Sequence, residues 1–253
     1  MRLIGMVHLA PLPGSPRFDG DLDGVLSAAL IDAHRLADAG FDAVLVENFG
    51  DAPFYADDVP KVTVSAMTRA IAAVADAVDL PIGVNVLRND ALAALAVAAA
   101  TGAAFIRVNV LSGSMSTDQG TITGRAAEVA RLRAAICPDV EVLADVFVKH
   151  AAPPPGLTIE QAARDLAERG GADAIVVSGA GTGHPVDEGR IAAVRKAVPD
   201  TRLYAGSGVD AMTVGDILAV CDGVIVGTAI KEGGVTTAPV DPERARALVV
   251  AAG

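Results

Sequence analysis

The chain has 253 residues, 52% of them hydrophobic but only 3% aromatic and none tryptophan, so any core must be built from Ala, Val, Leu and Ile. A formal charge of -11 without a basic cluster excludes bulk nucleic-acid binding and disfavours an anionic membrane surface. No apolar run of transmembrane length lacks breakers and no signal peptide precedes Arg2-Leu3-Ile4, so the expectation is a cytoplasmic protein without membrane insertion.

In chain order, β-branched runs alternate with helical patterns. Leu3–His8 is followed by Leu22–Ala39, Ala43–Glu47 by Val64–Val78, Ile82–Val86 by Ala91–Ala100, and Phe105–Val110 by Arg125–Ile136. Val140–Val148 precedes Ile159–Arg169, Ala174–Ser178 precedes Glu188–Val198, Arg202–Ala205 precedes Met212–Ala219, and Gly223–Val226 precedes Pro242–Ala251. Alternation of this kind implies a parallel sheet, and eight units imply one α/β domain over residues 1–253, a (β/α)8 TIM barrel. An open doubly wound sheet is the alternative. Gly40, Gly102 and Gly170 stand where left-handed helix caps belong. The long connections Leu9–Asp21, Asn48–Lys61, Leu111–Thr123 and His150–Leu157 all follow strands, on the rim where a barrel keeps its site. Cys137 and Cys221 lack metal-ligand spacing.

Side chains of equal parity share a strand face. In Phe105–Val110, Ile106, Val108 and Val110 share the helix face, while Arg107 and Asn109 point the other way. By the same test His8, Glu47, Asn85, Asp145 and Lys149 point inward, late in their strands. Unpaired burial of such groups costs several kcal/mol each, on the order of a whole mutational effect. They must therefore pair, bind water or bind a ligand; an internal ion-pair network of Arg107 with Asp145 or Glu47 is the bland alternative.

Glycine-rich turns follow the late strands: "SGAGTGHP" (178–185), "AGSGVD" (205–210) and "VGT" (226–228). Glycine lets backbone approach an anion closely. Gly179, Gly206, Ser207, Gly208, Gly227 and Thr228 are the expected phosphate holders. No G-x-G-x-x-G follows the first strand, so a dinucleotide cofactor is not expected.

Four stretches, "IGMVHLAPLPGSPRF" (4–18), "ADVFVKHA" (144–151), "VVSGAGTGHPVD" (176–187) and the segment from "LYAGSGVD" (203–210) to "PVDPERA" (239–245), resemble the BtpA family. The resemblance implies a phosphate-binding barrel. It supplies no mechanism. The family pattern has histidine at the position of Phe147, so any ligand role there is absent from this chain.

The expected activity is that of an isomerase or lyase moving protons on a phosphorylated small molecule, a sugar phosphate for instance. Glu47 and Asp145 would be bases, Arg107 an anion clamp, and Lys149 a cation or Schiff-base amine. His8, Asn85, Asn109, Ser178 and His184 would contact substrate. The residues name no particular cofactor; a divalent metal on His8, Glu47, Asp145 and His150 is an open alternative. Homo-oligomerisation is expected. A non-catalytic assembly factor, working through a patch with Phe54, Tyr55 and Met67, is the competing function.

Overall fold

Short aliphatic runs bounded by turn residues form strands, and alanine-rich amphipathic stretches form helices, in a computed structural model that describes residues 1–179 and 187–253. The first half comprises β1 (Leu3–His8), α1 (Leu22–Ala39), β2 (Ala43–Glu47), α2 (Lys61–Ala77), β3 (Ile82–Asn85), α3 (Ala91–Thr101), β4 (Phe105–Val108), β5 (Ser114–Thr117), β6 (Gly120–Thr123) and α4 (Ala126–Ile136). The second comprises β7 (Glu141–Val146), β8 (Ala151–Ala152), α5 (Ile159–Arg164), β9 (Ala174–Val177), α6 (Glu188–Ala197), β10 (Arg202–Ala205), α7 (Val214–Leu218), β11 (Gly223–Val226) and α8 (Pro242–Ala252). Strands β1, β2, β3, β4, β7, β9, β10 and β11 pair in that order, and β11 closes on β1 in parallel register. The sheet is therefore a closed TIM barrel, not a doubly wound open one.

Two apolar layers follow from the strand period of two. Val7, Val44, Val46, Val84 and Ile106 face the helices, while Ile4, Met6, Leu45, Phe105, Leu143, Tyr204 and Ile225 fill the barrel interior. Bulky interior rings need matching gaps. A Cβ on Gly83 would lie 2.2 Å from the Phe105 ring, and one on Gly223 would lie 2.5 Å from Tyr204. Gly83→Ala is accordingly expected to cost about 1–3 kcal/mol by overpacking. Urea denaturation should show that loss, and a second Phe105→Leu change should return part of it.

The excess of aspartate has a partly structural use. At the N-terminal face Asp42 accepts from the N–H groups of Arg2 and Leu3 at 2.7 and 2.8 Å. Asp173 accepts from Val142 and Asp222 from Leu203, each at 2.8 Å. Each carboxylate satisfies strand N–H groups that begin a neighbouring strand. Asp21, Asp90, Asp187 and Asp241 cap helices α1, α3, α6 and α8.

Several boundaries move. The strand expected to reach Val148 ends at Val146, because Phe147 takes φ 51° and His150 φ 58°. Gly40 and Gly102 are left-handed caps, whereas Gly170 is not; the left-handed residue is Gly171. A π-helical turn over Asp165–Arg169 adds a residue to the end of α5 and shifts the reversal by one. The expected loop Leu111–Thr123 contains the hairpin β5–β6, which pairs with β8 as a small second sheet over Val110 and Val148. Among the described residues no helix is long and apolar enough to cross a membrane.

Candidate active site

Register carries the inward polar groups to one level. His8 is paired with Glu47, and Glu47 with Asn85, across three adjacent strands. Asn85 Nδ2 donates to Glu47 Oε2 at 2.5 Å, and His8 Nε2 lies 3.8 Å from Glu47 Oε1. On the opposite wall Arg107 grips Asp145 with both arms, Nε to Oδ2 at 2.9 Å and Nη2 to Oδ1 at 2.8 Å. Asn109 Nδ2 donates to Asp145 Oδ2 at 3.0 Å, and Ser178 Oγ to Oδ1 at 3.2 Å. Burial works against the Arg107 charge, and the adjoining Asp145 carboxylate outweighs it, so the guanidinium is held protonated.

A cavity of about 330 Å³ opens beside these groups, lined on one side by His8, Glu47, Arg107 and Lys149. Its other side is made by Gly206, Ser207, Gly208, Gly227, Thr228 and Arg244. Lys149 reaches it from a turn, not from strand parity. Burial first, then the positive Arg107, lowers its pKa, so the neutral amine is more accessible than in water. Its carbonyl accepts from buried Arg88 at 2.6 Å. Arg88 follows β3 in a turn that Asn48 and Asn89 tie to the neighbouring strand ends.

His8 is pushed down to about 3 by burial, and then by the positive Lys231. It is neutral, and its Nδ1, 3.0 Å from the Thr236 carbonyl oxygen, must carry the proton that makes that bond. Nε2 then presents a lone pair beside Glu47, so two acceptors mark a place for one ligand proton donor. Because the folded value lies below the unfolded 6.5, the unfolded chain takes up this proton first. Stability tied to His8 is present above pH 6.5 and is lost as pH falls toward about 3. His8→Gln should flatten this acid limb, worth on the order of 4 kcal/mol at its foot, in urea midpoints measured across the range.

The glycine turns differ from one another. The Gly206 N–H is spent on the Val177 carbonyl at 2.8 Å. Gly206 matters for what it lacks: a Cβ there would lie 2.4 Å from Val176 and 2.7 Å from Ser178 Oγ. Gly208 needs its positive φ of 67° to turn the chain along the cavity. Gly179 donates to Ser207 Oγ at 2.8 Å and does not line the cavity. Asn85, Asp145 and Ser178 likewise stand behind the lining, bonded to Glu47 or Arg107, and Asn109 stands behind Asp145. His184 lies outside the described residues. His8, Glu47, Asp145 and His150 do not gather as a metal set. His150 is exposed and Asp145 is filled by Arg107, and the described residues contain no group of three or more His, Cys, Asp or Glu placed to hold a metal. Met67 is fully buried, so it cannot join a surface patch with Tyr55. The sequence reading missed Arg88 and Arg244; the arginine of "PVDPERA", one turn into a helix after the last strand, was the available signal for the second.

The BtpA family model matches residues 1–253. The chain belongs to the BtpA family. An uncharacterized protein of Thermococcus kodakarensis is 51% identical across 98% of this chain and 93% of its own. The photosystem I biogenesis protein BtpA of Synechocystis is 44% identical across 98% of this chain and 87% of its own. Among solved structures, phosphoribosyl anthranilate isomerase from Thermus thermophilus superposes with TM-score 0.61 at 13% identity, over 99% of this chain and 98% of that one. That likeness concerns the fold, which this family member shares with barrel enzymes.

Proposed function

We propose that this BtpA-family barrel is an enzyme that binds a phosphorylated small molecule at its C-terminal rim and moves a proton next to a carbonyl, as an isomerase or lyase. One observation carries the proposal. A single cavity of about 330 Å³ is bordered by Glu47, Lys149, Arg107 and His8 and by the Gly208, Gly227 and Thr228 backbone with Arg244. An anion seated at the glycines would hold the rest of a small ligand over the charged wall, and positioning of this kind supplies much of catalysis.

The roles follow from which atoms are already occupied. Asp145 has four hydrogen bonds, two from Arg107 and one each from Asn109 and Ser178, so it orients Arg107 and is no base. Glu47 borders the cavity, with Oε2 held by Asn85 and Oε1 3.8 Å from His8 Nε2, which makes Glu47 the general base. Lys149 and Arg107 would stabilise charge developing on the carbonyl oxygen. Arg244 adds a cation at the anion end. Asp210 also borders the cavity there, but its Oδ1 is engaged by Met212 and Thr213.

The test is a thermal-shift screen of phosphorylated sugars and nucleotides, with and without divalent metal. A ligand at 100 times its Kd adds about 2.7 kcal/mol to native stability. The proposal expects phosphorylated compounds, and not their dephosphorylated parents, to raise the melting temperature. An equal rise with the parents would refute the anion cradle. The name of the Synechocystis relative keeps a photosystem-assembly role as the competing function; an assembly factor should bind none of these compounds.

A further inference from the structure

A second cavity, of about 460 Å³, lies between α1 and the connections after β1 and β2. Its walls are mostly apolar: Leu9, Pro11, Val25, Ala29, Phe54 and Pro239. It shares His8 and Phe49 with the charged cavity. Those two rings stand side by side, with centroids 4.8 Å apart and planes inclined by 41°. His8, at the end of β1, and Phe49 thus border both spaces.

We infer that this second cavity is a subsite for a planar apolar group at the far end of the same substrate. The inference rests on the phosphate reading above and extends it: the ligand is a phosphate ester with an aromatic or similarly flat terminus, longer than a plain sugar phosphate. Three features point this way. The second cavity adjoins the charged one across His8 and Phe49, which places the terminus on the far side of those two rings. Phe49 and Phe54 line this cavity, and aromatic rings suit a flat apolar partner. The charged groups of the lining are engaged: Asp32 by Lys231 at 2.6 Å and by the Val240 N–H at 2.7 Å, Arg35 with the Val240 carbonyl at 2.6 Å, and the exposed Arg17 with the Ala52 carbonyl at 3.0 Å. An apolar occupant strips no unpaired charge of water there.

Ala28 borders this cavity from the exposed side of α1 and makes no contact with the charged one, so a larger side chain can fill the space without disturbing the fold. Calorimetric titration would compare butyl phosphate, 4-phenylbutyl phosphate and 4-phenylbutanol on the native chain, Ala28→Phe and Ala28→Ser. Burying a phenyl group should tighten binding of the phenylbutyl ester about tenfold or more over the butyl ester. Ala28→Phe should abolish that gain and leave butyl phosphate binding unchanged, and Ala28→Ser should keep the gain. A gain that is absent, or that survives in Ala28→Phe, overturns the subsite while the cradle stands. If butyl phosphate fails to bind but 4-phenylbutanol binds in an Ala28→Phe-sensitive way, the cradle falls and the subsite stands. Binding by none of the three overturns both.

Discussion

Replacing Asp145 with alanine is expected to destabilise the chain by about 3–5 kcal/mol, because it strands a buried guanidinium. The Arg107 and Asp145 side chains are 2% and 0% exposed, so water cannot take over the lost bonds. Asn109 and Ser178 would lose their acceptor with the same change. Urea denaturation should show the loss directly. The double change Arg107→Met with Asp145→Leu removes both charges together and should return most of the stability, since an apolar pair can replace a buried ion pair at little cost. That double variant should fold, still take a phosphoryl group at the glycine cradle, and lose turnover. A fully stable Asp145→Ala would mean that Arg107 finds another partner, and the ordering of this wall would need a different cause.

Glu47→Gln should have the second large effect, on turnover. The amide still accepts from Asn85 and still packs beside His8, so the fold and the ligand-induced rise in melting temperature should persist. Proton abstraction should not; loss of a general base costs about 10²–10⁴ in rate. Incorporation of solvent deuterium into the phosphorylated compound selected by the thermal screen, followed by proton NMR, measures that step. Unchanged exchange in Glu47→Gln would move the base elsewhere, with Lys149 next because its pKa is lowered.

Strand parity made much of this site legible from the sequence. His8, Glu47, Asn85, Arg107 and Asp145 stand on the inner wall because a period of two leaves no other face once the valines beside them pack on helices. The closed barrel was legible for a similar reason: repeated strand–helix units have few ways to bury both faces of a parallel sheet. Three things were not legible. The left-handed turn at Phe147 ends strand parity early, so Lys149 arrives by a loop whose path no periodicity encodes. Arg88 and Arg244 sit outside the strands, where alternation says nothing about direction. The choice between two readings of Asp145 was also hidden: the sequence offered both a base and an ion pair with Arg107, and only the structure shows the pair, because a carboxylate that orients an arginine and one that removes a proton look alike in sequence. The hairpin β5–β6 did carry a signal, apolar Met115 and Ile122 on either side of a turn at Gly120, and its shortness disguised it as loop.

The most direct measurement is a crystal structure of the protein soaked with the tightest phosphorylated compound from the screen. The phosphoryl group should lie against Gly208, Gly227 and Thr228, with the carbon framework within hydrogen-bond reach of Glu47 and Lys149. A phosphoryl group bound away from those glycines, or a framework turned from Glu47 toward solvent, would contradict that placement.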